Sequence, residues 1–125
     1  MQQENFSFKK RIQSFPFAFN GLRILFREEH NSRIHLLAAI LAIVSGFFLK
    51  ISPYEWIAIV FAIGLVFAFE ILNSAIENLS DFASPGKHDL IKKAKDLSAA
   101  GVLVTAITAL IIGIIIFLPK ILMYV

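Results

Sequence analysis

Three long apolar runs, separated by short polar clusters, divide the chain. The first, residues 34–49, reaches roughly 24 Å as a helix. That is short of a hydrocarbon core of about 30 Å. Arg33 and Lys50 can extend it by snorkelling. The second run opens after a short turn at 50–55, where Ser52 or Pro53 can start a helix. Tyr54 and Trp56 stand where an interfacial aromatic belt is expected. No charge interrupts it from Trp56 to Phe69, and it continues to Asp81 with polar residues on one side. The third run, 99–118, reaches roughly 30 Å. Gly101 and Gly113 allow close packing there, and Pro119 and Lys120 end it. The pattern predicts spans at about 34–50, 54–81 and 97–118.

The segments outside these runs read differently. Residues 1–5 are polar and expected to fray. From Phe6 to Phe26, Phe, Ile and Leu alternate with Lys9, Lys10, Arg11 and Arg23, too much charge to span a bilayer. An amphipathic surface helix over about 6–27 suits it, with Pro16 and Gly21 interrupting or bending it. For most of its residues, a role beyond anchoring and anchoring alone are both open. Residues 83–89 form a loop marked by Pro85 and Gly86, and 90–96 is basic and helical. The fold class expected is all-α: an integral membrane domain over 1–125 with three transmembrane helices and an N-terminal surface helix.

Composition supports a membrane protein, with 58% hydrophobic residues and a mean hydropathy of +0.75. The absence of cysteine removes disulfides and thiolate metal sites. The first thirty residues lack the apolar core of a secretory signal. Net charge is only +3, but its placement is informative. Lys9, Lys10, Arg11, Arg23, Arg27 and Arg33 precede the first span, and Lys87, Lys92, Lys93 and Lys95 lie between the second and third. Lys50 and Lys120 alone fall on the other side. Six plus four against two puts the N-terminus and the second loop in the cytoplasm, with the protein in the cytoplasmic (inner) membrane. Basic residues that flank spans in this way do not suggest nucleic-acid binding.

The candidate chemistry sits on the second helix, in Glu70-Ile-Leu-Asn-Ser-Ala-Ile-Glu-Asn-Leu-Ser-Asp81. At about 100° per residue, Glu70, Asn73, Ser74, Glu77 and Asp81 share one face, while Leu72, Ile76 and Leu79 fall off it. Carboxylates on a membrane helix are costly and suggest a functional site. The alternative is a helix end whose polar face merely meets water. A second cluster, Arg27-Glu-Glu-His-Asn-Ser-Arg-Ile-His35, precedes the first span. Adjacent carboxylates point apart on a helix, so only one can share the seam. That carboxylate and Glu77 could hold a divalent metal, since Mg2+ takes hard oxygen ligands. Salt bridging to Arg27 and Arg33 is the simpler alternative. Lys87 and His88 could approach an anion, or His88 could be a solvated loop residue. With Lys95 and Asp96, these clusters gather at one membrane depth.

The Glu70–Asp81 stretch, followed by Ala94-Lys95-Asp96, resembles the signature of the prokaryotic diacylglycerol kinases, a family that includes undecaprenol kinases. The likeness extends from Phe8 to Lys120. It implies a three-span kinase, assembled as a homotrimer with shared active sites, that uses ATP and Mg2+ to phosphorylate a lipid alcohol. Carried onto this chain, it implies that Glu70 is the general base, engaging the substrate hydroxyl, and that Asn73 positions it. Glu29 and Glu77 would bind the metal on ATP. Lys95 and Asp96 would hold the nucleotide, with Gly86, Lys87 and His88 near one end of it. Lys10 and Phe17 would be N-terminal nucleotide contacts, Phe17 standing where some relatives have Tyr. Residues 97–100 vary in the family and stay outside the catalytic set. The acceptor is undecaprenol or diacylglycerol; the 31–35 stretch, Glu55-Trp56 and the 116–120 ending look more like the undecaprenol kinases.

The chemistry agrees with that resemblance. Phosphoryl transfer needs mainly positioning and charge stabilisation. Glu70 lies nearer the apolar run, and Glu77 about 10 Å farther along the helix toward water. A lipid alcohol can therefore approach Glu70 from the bilayer and ATP can approach Glu77 from the cytoplasm. Two other classes stay open from the residues alone. A small transporter or channel subunit could line its pore with the seam, and a non-catalytic assembly subunit could use it only to order helix contacts.

Overall fold

The computed structural model describes residues 7–125. Phe6 and the polar stretch 1–5 lie outside the described residues. Five helices follow: α1 Phe8–Gln13, α2 Phe15–Glu28, α3 His30–Phe48, α4 Pro53–Ala83 and α5 Asp89–Leu122. No strand occurs among the described residues. The three helices α3, α4 and α5 are each long and apolar enough to cross a membrane. With 31 and 34 residues, α4 and α5 reach roughly 46 and 51 Å. Both overreach a hydrocarbon core, so part of each stands in the interface.

The expected surface helix is two helices, broken at Ser14. Pro16 causes the break. It sits in the first turn of α2, where its missing N–H costs nothing, and a continuous helix would set its ring against the Ile12 carbonyl. The Ser14 hydroxyl donates to Arg11 O at 2.6 Å and closes α1. Gly21, by contrast, lies inside α2 without interrupting it. The basic stretch 90–96 and the third apolar run also form one continuous helix, and Pro119 falls inside it. The chain continues about one turn past Pro119, far enough for Lys120 Nζ to donate to Glu55 Oε2 at 2.7 Å.

Ser52 starts α4 with a reciprocal cap. Its hydroxyl accepts from Glu55 N, and Ser52 N donates to Glu55 Oε1 at 3.0 Å. Such a box stabilises a helix start by about 1 kcal/mol. The tight α3–α4 turn needs Lys50 in the left-handed region, at φ 53°. Ile51 N then donates to Gly46 O. A Cβ on Gly46 would lie 2.7 Å from the Trp56 ring, so glycine here lets the indole pack on α3. Trp56 is therefore half-buried against Phe47, and only Tyr54 is exposed as a belt residue would be.

The main pairing is α4 on α5, with α3 packed on α4. Near the turn the interior is apolar, built on Ile51, Ile59 and Ile116. Toward the C-terminal half of α4 it becomes polar: Glu70, Ser74 and Ser80 are buried while Leu72 and Leu79 are more than half exposed. Polar inside and apolar outside is the arrangement a lipid solvent favours. Gly101 lets α5 approach, since a Cβ there would come within 2.9 Å of the Phe69 ring. Gly113 meets open space instead and lines an apolar groove of about 680 Å³ between α3, α4 and α5.

Candidate active site

The seam on α4 forms three successive polar tiers, each one or two turns beyond the last. Glu70 makes the first. Its side chain is 5% exposed, and Ser32 Oγ on α3, itself buried, donates to Oε2 at 2.7 Å. His35 Nε2 lies 3.2 Å from the other oxygen, Oε1. No hydrogen bond links the two as they stand, so Oε1 is buried without a partner. A buried carboxylate oxygen left this way costs on the order of 1–3 kcal/mol. A hydroxyl brought to Oε1 would satisfy it.

Asn73 and Ser74 make the second tier. Ser74 is buried and donates to Glu29 Oε1 at 3.1 Å. Glu29 is positioned by the break between α2 and α3, where its backbone is extended (φ −101°, ψ 109°). Of the two adjacent carboxylates, Glu29 is thus the one that meets the seam. Arg33 does not bridge to it. Its guanidinium donates to Phe26 O and Arg27 O, closing the end of α2. Asn73 Oδ1 accepts from Ser98 Oγ on α5. That bond leaves the Asn73 amide N–H groups as the donors available to a ligand.

Glu77, half-buried, and Asp81 make the outermost tier. Lys95 Nζ donates to Asp81 Oδ1 at 2.8 Å and lies within electrostatic reach of Glu77. Asp96 turns the other way, pairing with Lys92 at 2.6 Å. It lines a surface pocket of about 400 Å³ with Asp89, Lys93 and Leu97. The sequence neighbours Lys95 and Asp96 therefore serve different faces of α5.

The remaining candidates lie farther out. Lys10 is exposed on α1, which packs on α2. Phe17 is 78% exposed on α2. Gly86 and Lys87 are exposed in the α4–α5 loop. His88 is neither buried nor simply solvated, because its Nδ1 accepts from Leu90 N and caps α5. Among the described residues no three His, Asp or Glu side chains gather as a metal cage. Mg2+ keeps water and phosphate oxygens in its shell and needs no all-protein cage, so one or two carboxylates are enough to hold it.

Three residues of these tiers escape a reading of the seam alone: Ser32, His35 and Ser98. Ser32 and His35 stand three apart on α3, and Ser98 stands three after Lys95 on α5. Each pair shares a helix face. That spacing was the available signal.

Comparison with known proteins agrees with this architecture. Residues 16–117 match the family model described as prokaryotic diacylglycerol kinase. The chain is 40% identical over 109 residues to the undecaprenol kinase of Bacillus subtilis (strain 168), covering 87% of this chain and 89% of that protein. It is 32% identical over 111 residues to the diacylglycerol kinase of Escherichia coli (strain K12), covering 89% of this chain and 91% of that one. Transport and mere assembly lose their support. The chain belongs to the prokaryotic diacylglycerol kinase family, the membrane-embedded lipid kinases of bacteria.

Proposed function

We propose that this protein transfers the γ-phosphate of ATP to the hydroxyl of a membrane lipid alcohol at the polar end of its bundle. The observation that carries the reading is Glu70: a buried carboxylate beside an apolar groove, with one oxygen fixed by Ser32 and the other lacking a donor. The acceptor hydroxyl donates to Oε1, and Glu70 takes its proton as the oxygen bonds to phosphorus. Asn73, held through Oδ1 by Ser98, presents its amide N–H to hold the acceptor or the transferring phosphoryl group.

Glu29 and Glu77 are the residues that would hold Mg2+. The ion supplies neutralisation of charge on the nucleotide phosphates. Ser74 fixes one Glu29 oxygen and leaves the other free for it. Lys95 holds phosphate oxygens, with Lys10, Phe17, Gly86, Lys87, His88 and Asp96 completing the nucleotide site. Those residues point to several faces of one chain, and that dispersal supports a homotrimer in which neighbouring copies complete each site. The concentration of Lys and Arg on one side supports a cytoplasmic N-terminus in the inner membrane. Undecaprenol is favoured over diacylglycerol as acceptor, because identity is higher to the undecaprenol kinase at similar coverage.

The test offers undecaprenol and diacylglycerol side by side to the protein in bilayers with labelled ATP and Mg2+. Faster labelling of undecaprenol is expected. Preferred labelling of diacylglycerol would reverse the acceptor assignment, and labelling of neither would remove the lipid kinase reading.

A further inference from the structure

A base as deeply buried as Glu70 cannot simply lose its proton to water between turnovers. Ser32 covers Oε2 by donating its own proton there, and at 1% exposed it offers no exit. The open side is Oε1, and His35 Nε2 stands 3.2 Å from it. The His35 side chain is 28% exposed against 5% for Glu70. Of the two, only His35 reaches the surroundings.

The rest of the neighbourhood is electrically quiet. Arg33, on the same helix, is turned to the carbonyls of Phe26 and Arg27. The α5 side of the groove presents apolar groups such as Ala106, Ala109 and Leu110. From α4, Glu70 is the titratable group that faces the imidazole. Among the groove-lining residues, His35 alone carries a side chain that can accept and release a proton. With its proton on Nδ1, the neutral imidazole offers a lone pair at Nε2 that can accept a proton from Oε1.

We infer that His35 is a relay and positioning residue that resets Glu70 after each phosphoryl transfer. The inference rests on the reading of Glu70 as the base. As the acceptor oxygen bonds to phosphorus and the bond from ADP to that phosphorus breaks, the O–H proton moves to Glu70 Oε1. It passes from Oε1 to the lone pair of His35 Nε2, leaving Glu70 a carboxylate again. The imidazolium gives its Nδ1 proton to water, and exchange with water restores the tautomer with a free lone pair on Nε2. His35 acts through Glu70. The pairing also accounts for a histidine five residues into a membrane-spanning helix, where an apolar side chain would otherwise fit the groove.

The test compares the full chain with His35→Gln in bilayers, with Glu70→Gln as control. In His35→Gln we expect kcat to fall about tenfold to a hundredfold, with KM for ATP and for lipid changed less than about twofold. Imidazole in the buffer should restore several-fold activity to His35→Gln and none to Glu70→Gln. The thermal midpoint should stay near that of the parent. If His35→Gln fails to assemble, His35→Asn is measured in the same way. A wild-type kcat in either variant overturns the relay. So does a loss that spreads to KM and stability and ignores imidazole, because that marks a structural histidine. If the parent protein phosphorylates no lipid alcohol, the relay falls together with the proposed function; if the parent is active and the histidine variants match it, the relay falls alone.

Discussion

Near its N-terminus α4 buries Ile59 beside Ile51 and Ile116; three turns later the same helix buries Glu70 and Ser74. The polar groups differ as much as the cores do. At the N-terminal end Glu55 accepts from Ser52 N and from Lys120 Nζ, so both its oxygens are engaged. At the other end Glu70 keeps one buried oxygen without a donor. A helix bundle in lipid gains cohesion from packing and from satisfied polar contacts. The first end has both. The second gives up part of that cohesion, and the unsatisfied group is the carboxylate proposed above as the base. The difference separates residues that hold the helices together from residues for which a ligand role is proposed.

Substitutions can break or sharpen this contrast. The largest effect belongs to Glu70→Gln, which should lower lipid phosphorylation at least a hundredfold while leaving the thermal midpoint near that of the parent. Ile59→Ala should do the reverse, costing about 2 kcal/mol of stability in a detergent-unfolding titration with KM for ATP unchanged. If Ile59→Ala raised that KM instead, the two ends would be coupled and the contrast lost. Ser74→Ala should come next. It removes the bond that fixes Glu29, worth about 1.5 kcal/mol for a charged acceptor, so KM for Mg-ATP should rise about tenfold in steady-state assays. Lys120→Met should matter least, shifting the thermal midpoint by at most a few degrees, because partly exposed ion pairs contribute little. Added salt should shrink even that difference.

Much of this division was legible in the residues. The spans followed from apolar runs, and the inward seam from steps of three and four between Glu70 and Asp81. The capping box at Ser52 could be read from Ser and Glu three apart. Other features depend on which helix faces which, and periodicity on one helix does not carry that. Ser32, His35 and Ser98 matter because α3 and α5 turn them toward Glu70 and Asn73. Lys95 and Asp96 read as one cluster along the chain, yet about 100° of helical rotation sends them to Asp81 and Lys92. Pro119 looked like a stop but permits about another turn, because a proline near a helix end forfeits few backbone bonds.

The measurement closest to the chemistry is nucleotide affinity and lipid turnover in the same preparation of Glu70→Gln. A carboxylate that serves only to take the acceptor's proton predicts unchanged ATP affinity with turnover lost at least a hundredfold. Turnover surviving within a few-fold of the parent, or affinity falling in step with turnover, would contradict the assignment of Glu70 as the base.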